Sequence, residues 1–160
     1  MFIDIMFVDS DAFLISVTQP LGLTMINELG RTRGSRNIQS VRSALQRQIA
    51  PYKAKDFRIS TIHTDGEGAV ASISNELQTS GIEVNPSGPG QHVAVFEGKI
   101  RGNFNTLPYK LPATLLVWLI CFVVSRINII PHRGGPTGIS PREAFLGRKT
   151  FISVVDLENI

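Results

Sequence analysis

Hydrophobic and polar positions alternate with a period of two through roughly the first thirty residues, after which the period changes to 3.6. FIDIMFV, FLISVTQP and LTMINEL read as three strands of a meander, separated by Asp-Ser-Asp and by a turn at Pro20–Gly22. Short polar side chains in the first connection can bond their own backbone, which predicts a tight hairpin with Asp9 and Asp11 as turn residues. GRTRGSR follows as a basic, glycine-rich loop. Ile38, Val41, Leu45, Ile49 and Tyr52 then recur at spacings of 3, 4, 4 and 3, one apolar stripe of a helix. Arg42, Arg47 and Lys53 fall largely off that stripe.

Further along, a strand is predicted over Phe57–Thr64, a helix over Ala69–Thr79 ending at Gly81, and a short strand at Ile82–Val84. Prolines and glycines make Asn85–Gly90 a loop. Helices are expected at His92–Leu107, at Ala113–Asn128 and after Ser140. The last has a strong start signal: Ser140 as N-cap, Pro141 in the first turn and Glu143 completing a capping box. This order predicts an α/β domain over residues 1–150, with 151–160 as a tail. Its mixed sheet would hold about five strands, the first three antiparallel, flanked by helices.

Two apolar runs imitate targeting signals. Asp4 interrupts the first, and no basic region or small-residue cleavage site accompanies it. The second, Leu115–Val124, would reach only about 15 Å as a helix, against a hydrocarbon core of about 30 Å. Extending it to Ile130 takes in Arg126 and Asn128, and an arginine at mid-bilayer costs about 2.5–3.5 kcal/mol. A helix buried against the sheet is therefore expected, with Trp118 and Phe122, i,i+4 partners, carrying much of the packing. A membrane anchor at Leu115–Val124 is the weaker reading.

Composition narrows the class without naming a function. With 160 residues, 42% hydrophobic and 18% charged, the chain has the make-up of one globular domain. A net charge of +3 and a pI near 9.4 lean mildly towards a polyanionic partner. The single cysteine, Cys121, excludes an internal disulfide and fits an intracellular location. His63, His92, His132 and Cys121 lack zinc-ligand spacing. There is no Walker loop, nucleophile elbow or dinucleotide fingerprint.

Three acids hold the candidate chemistry. Asp4 stands among Phe2, Ile3, Ile5 and Met6, where an unpaired carboxylate is expensive to bury, so a metal, a hydrogen-bond network or edge exposure must relieve it. Asp65 ends a strand that puts Ile59, Thr61 and His63 on its own face, although Asp-Gly is also a common turn and helix-entry pair. Glu97 borders the apolar stripe Val93, Phe96, Ile100 and Phe104, and an i,i+4 ion pair with Arg101 is its simpler explanation. Carboxylates converging on a hard divalent cation are a usual way to drive phosphoryl transfer on nucleic acid.

FIDIMFV, STIHTDGEGAV, GPGQHVAVFEGKIRG, VVSRINIIPHR and SPREAFLGRK occur in an order that resembles the catalytic core of retroviral-type integrases, most closely the integrase region of copia-like retrotransposons. The resemblance implies a ribonuclease H-like fold and an Asp, Asp, Glu triad at Asp4, Asp65 and Glu97. It further implies Mg²⁺ or Mn²⁺ in a two-metal site, DNA as partner, and a nuclear polynucleotidyl transferase that processes DNA ends and joins them to target DNA. It is also compatible with a homo-oligomer and needs no membrane. Lys99 and Arg101, with Arg31, Arg33 and Arg36 of the basic loop, would meet the DNA backbone. Gly98 and Gly102 depart from the family's catalytic helix, each costing about 1 kcal/mol relative to alanine. The chain also starts almost on its first strand, without the family's zinc-binding domain before it. The competing expectation is a non-catalytic remnant that binds nucleic acid or a partner protein.

Overall fold

The first apolar run becomes β1 (Phe2–Val8) and the second β2 (Asp11–Val17), paired antiparallel from Phe2 opposite Val17 to Val8 opposite Asp11. Asp11 belongs to this ladder and is buried, so it is a strand residue rather than the turn residue its neighbours in sequence suggested. The third run, β3 (Thr24–Gly30), pairs antiparallel with β2, and the register shifts between Ala12 and Phe13. These assignments come from a computed structural model, which describes residues 1–8, 11–30, 37–64, 68–86, 112–131 and 138–148.

Two short parallel strands complete the sheet on the other side of β1. β4 (Thr61–Thr64) aligns His63 with Phe2 and Thr64 with Ile3, and β5 (Glu83–Pro86) aligns with β4. The strand order is β3-β2-β1-β4-β5, a mixed five-stranded sheet. β4 is shorter than the expected Phe57–Thr64. Its first ladder residue is Thr61, and Phe57 instead donates its N–H to Tyr52 O, closing the preceding helix.

Helices cover both faces, and this is why β2 is buried along its whole length. On one face Ile3, Ile5, Ala12 and Leu14 pack against Val41, Ala44, Leu45 and Ile49 of α1 (Ile38–Lys53). Asn37 caps this helix by accepting the Gln39 N–H at 2.9 Å. The same cluster takes in Val70 of α2 (Gly68–Ala71) and Leu77 of α3 (Ser74–Thr79). The expected single helix over Ala69–Thr79 is thus two. At the break Ser74 Oγ donates to Ala71 O, a local bond that competes with a continuous helical ladder, whereas Gly68 O still takes the helical N–H of Ser72 at 3.0 Å.

The opposite face carries Met6, Val8, Phe13 and Ile15 beneath α4 (Ala113–Ile129), which buries Leu116, Ile120 and Val124. Trp118 and Phe122 do not carry this packing: they are 71% and 46% exposed. Almost every side of α4 is apolar, so periodicity could not choose the stripe that faces the sheet. Asn128 makes the choice. It continues the four-residue spacing of Leu116, Ile120 and Val124, and its amide clamps Thr24 on β3, accepting from N–H at 2.8 Å and donating to C=O at 2.7 Å. Among the described residues no helix is long and apolar enough to cross a membrane. The capping box at Ser140 and Glu143 forms as the sequence predicts and opens α5 (Pro141–Leu146), which Gly147 closes at φ 66°.

Candidate functional site

β1 is the middle strand of the five, and Asp4 sits half-buried within it. Alternation along the strand puts Asp4 on the face of Phe2, Met6 and Val8, the face that α4 covers. One carboxylate oxygen, Oδ1, accepts the N–H of Ile5 at 2.7 Å. The carboxylate thus has a backbone hydrogen bond and partial exposure, on an inner strand rather than at the sheet edge that the sequence allowed for.

The neighbouring strand supplies the rest of the local surface. Ile62 and Thr64 of β4 are buried, whereas Thr61 and His63 alternate to the other side. His63 stacks on Phe2 with ring centroids 4.6 Å apart and planes 18° from parallel. This stack fixes which face of β4 matches which face of β1: Phe2 and His63 share one, and Asp4 follows Phe2 on it. The expected grouping of Thr61 and His63 on one strand face is therefore present, and that face is continuous with the one carrying Asp4.

Asp65 and Glu97 lie outside the described residues, as do Lys99, Arg101, Arg31, Arg33 and Arg36. Asp4 is the triad member that the described residues include. Among those residues no three side chains of His, Cys, Asp or Glu gather in a metal-binding group. Cys121 is exposed on α4, with its thiol pushed up by burial and then by the negative charge of Glu28. Both effects disfavour the thiolate that a metal ligand or nucleophile requires.

One polar residue escaped the sequence reading as a structural determinant. Asn128 interrupts an apolar helix, and a polar group in such a setting demands partners. That was the available signal. The identity of the partner, the backbone of a strand 104 positions away, is a tertiary fact.

No protein-family model matches the chain, and no curated protein matches it.

Proposed function

We propose that this chain is an integrase-type catalytic core with a ribonuclease H-like fold, acting as a polynucleotidyl transferase on DNA. The observation that carries the reading is the parallel pairing of β1 with β4, Phe2 opposite His63 and Ile3 opposite Thr64. Asp4 is the next residue on one strand, and Asp65 is the next residue in sequence on the other. Continuing the same register by one position would set the two carboxylates side by side on the face shared by Phe2 and His63. The strand order, with an antiparallel meander joined through its first strand to parallel β4, also suits this fold.

The donor set fits the cations implied. Aspartate and glutamate oxygens are the hard donors that Mg²⁺ and Mn²⁺ take, and the one cysteine, Cys121, is on α4 with its thiolate disfavoured. Asp4 and Asp65, with Glu97 as the third, would hold the metal, which supplies charge stabilisation for an in-line displacement at phosphorus. Within the chain, the role of β1 is to present Asp4 rigidly. A middle strand with its following residues Ile5 and Met6 buried holds that carboxylate better than a loop would.

The test is a set of melting curves with and without Mn²⁺ on the wild type, Asp4→Asn and Asp65→Asn, alongside a strand-transfer assay on DNA ends. Clustered carboxylates repel one another and a bound cation relieves this, so Mn²⁺ should raise the wild-type Tm and leave both variants unmoved. Strand transfer should vanish in both variants while the fold persists. Identical curves for every sample would leave a non-catalytic remnant as the reading.

A further inference from the structure

β3 forms one edge of the sheet, and it lies along a cleft of about 510 Å³ lined by α1 together with α4 and α5. The clamp from Asn128 reveals which peptide groups of β3 face outward. Both the N–H and the C=O of Thr24 are taken by that amide, so they point away from β2. Outward groups recur at every second residue of an antiparallel strand, which turns those of Ile26, and of Glu28 beyond it, to the open edge. Asn128 therefore already occupies the place of one residue in an added strand.

The charged side chains among the described lining of the cleft are both cationic. Arg47 of α1 and Arg142 of α5 line it, both exposed and neither in an ion pair among the described residues. No aspartate or glutamate is among its described lining residues. Among its lining, Thr24 Oγ1 and Gln48 Oε1, in residues each 1% exposed, have no hydrogen-bond partner among the described residues. Ile26 and Phe145 give the cleft apolar surface for alternate side chains.

The geometry points to an extended acidic peptide of a partner protein, which docks by adding a strand to β3 and sets its carboxylates against Arg47 and Arg142. A polypeptide backbone is the ligand that supplies donors and acceptors at the spacing of a strand edge, and alternate side chains then reach the apolar lining. A second copy of this chain suits the cleft less well, because each copy carries a net charge of +3. Orientation follows as well. α5 stands at the Thr24 end, where Phe145 meets Tyr52 and Tyr52 bonds Thr18 beside Leu23. Glu28 at the opposite end of β3 repels carboxylates, so the acidic residues of the peptide lie towards Thr24.

The probe is a fluorescein-labelled hexapeptide of alternating glutamate and valine, titrated into the whole chain while ¹⁵N amide spectra are recorded. Binding should shift the amides of Ile26 and Glu28, and combining Arg47→Glu with Arg142→Glu should weaken it roughly tenfold. A version of the peptide N-methylated at alternate residues should not bind, a control that leaves the protein untouched. Equal affinity for a lysine-valine peptide or for the N-methylated one would overturn the proposal, and so would a complete lack of binding. Displacement of the probe by a DNA oligonucleotide through the same arginines would reassign the cleft to nucleic acid. A dimer that the probe dissociates would reassign it to self-pairing.

Discussion

Tyr52 is a side chain whose surroundings can be read as energy. It is buried, its hydroxyl is 3.1 Å from Thr18 Oγ1, and Phe145 meets its ring edge-on at 5.3 Å. Burial pushes the phenol pKa up, with the Thr18 hydrogen bond pulling weakly the other way. Below about pH 10 both folded and unfolded chains keep the proton, so Tyr52 adds no pH dependence there. Above that value the unfolded phenol ionises first, and stability falls as pH rises towards the folded value. Tyr52→Phe should therefore cost about 0.5–1.5 kcal/mol at pH 7, and its deficit against wild type should shrink in alkali. Urea unfolding of both proteins at pH 7 and above pH 10 measures this, and a deficit that grows with pH contradicts it. Asn128 offers a second substitution at the same scale. Asn128→Ala strands the outward peptide groups of Thr24, so denaturant unfolding should show a loss of about 1–3 kcal/mol.

Among the elements, α4 has the sharpest asymmetry. Its sheet side buries Leu116, Ile120 and Val124, while Leu115, Trp118 and Phe122 face outward and Arg126 stacks over the Phe122 ring at 4.9 Å. Ile120→Ala opens a cavity under Met6, Val8, Phe13 and Ile15 and should cost about 2–5 kcal/mol. Trp118→Ser removes the larger side chain yet should change stability by about 0.5 kcal/mol or less. Thermal melts of the two variants decide the matter, and a reversed order would mean that the helix is rotated. α1 shows the contrasting case, in which Val41, Leu45, Ile49 and Tyr52 of the amphipathic stripe mark the buried face, although Ile38 at its start is exposed. Its surface pair, Arg42 Nε to Glu76 Oε2 at 2.8 Å, links α1 to α3 but is partly exposed and contributes little.

Across the described sheet, burial is graded from β2 to the β5 edge. Every residue of β2 is buried, whereas β5 exposes three of its four. Amide exchange should follow that gradient, slowest in β1 and β2 and fastest in β5, because edge strands open without disrupting the two cores. Hydrogen exchange read by mass spectrometry or NMR checks it, and uniform protection across the sheet would show a single cooperative unit instead.

Much of the architecture was legible in the residues. Period-two runs became β1, β2 and β3, the apolar stripe from Ile38 to Tyr52 became α1, and Ser140 with Glu143 started α5, because these signals are local: side-chain alternation, helical spacing and capping chemistry. Asp4 was legible as an anomaly, a carboxylate in an apolar strand. What the sequence could not decide was long-range. The stripe of α4 that meets the sheet depends on an amide–backbone clamp between Asn128 and Thr24, and the break between α2 and α3 falls where the Ser74 hydroxyl takes the carbonyl of Ala71. The position of Asp4 relative to β4 rests on a register set by Phe2 and His63, residues some sixty positions apart. Periodicity says that a face exists; only the packed molecule says what that face meets, since the contact energy belongs to pairs of residues that the chain brings together by folding.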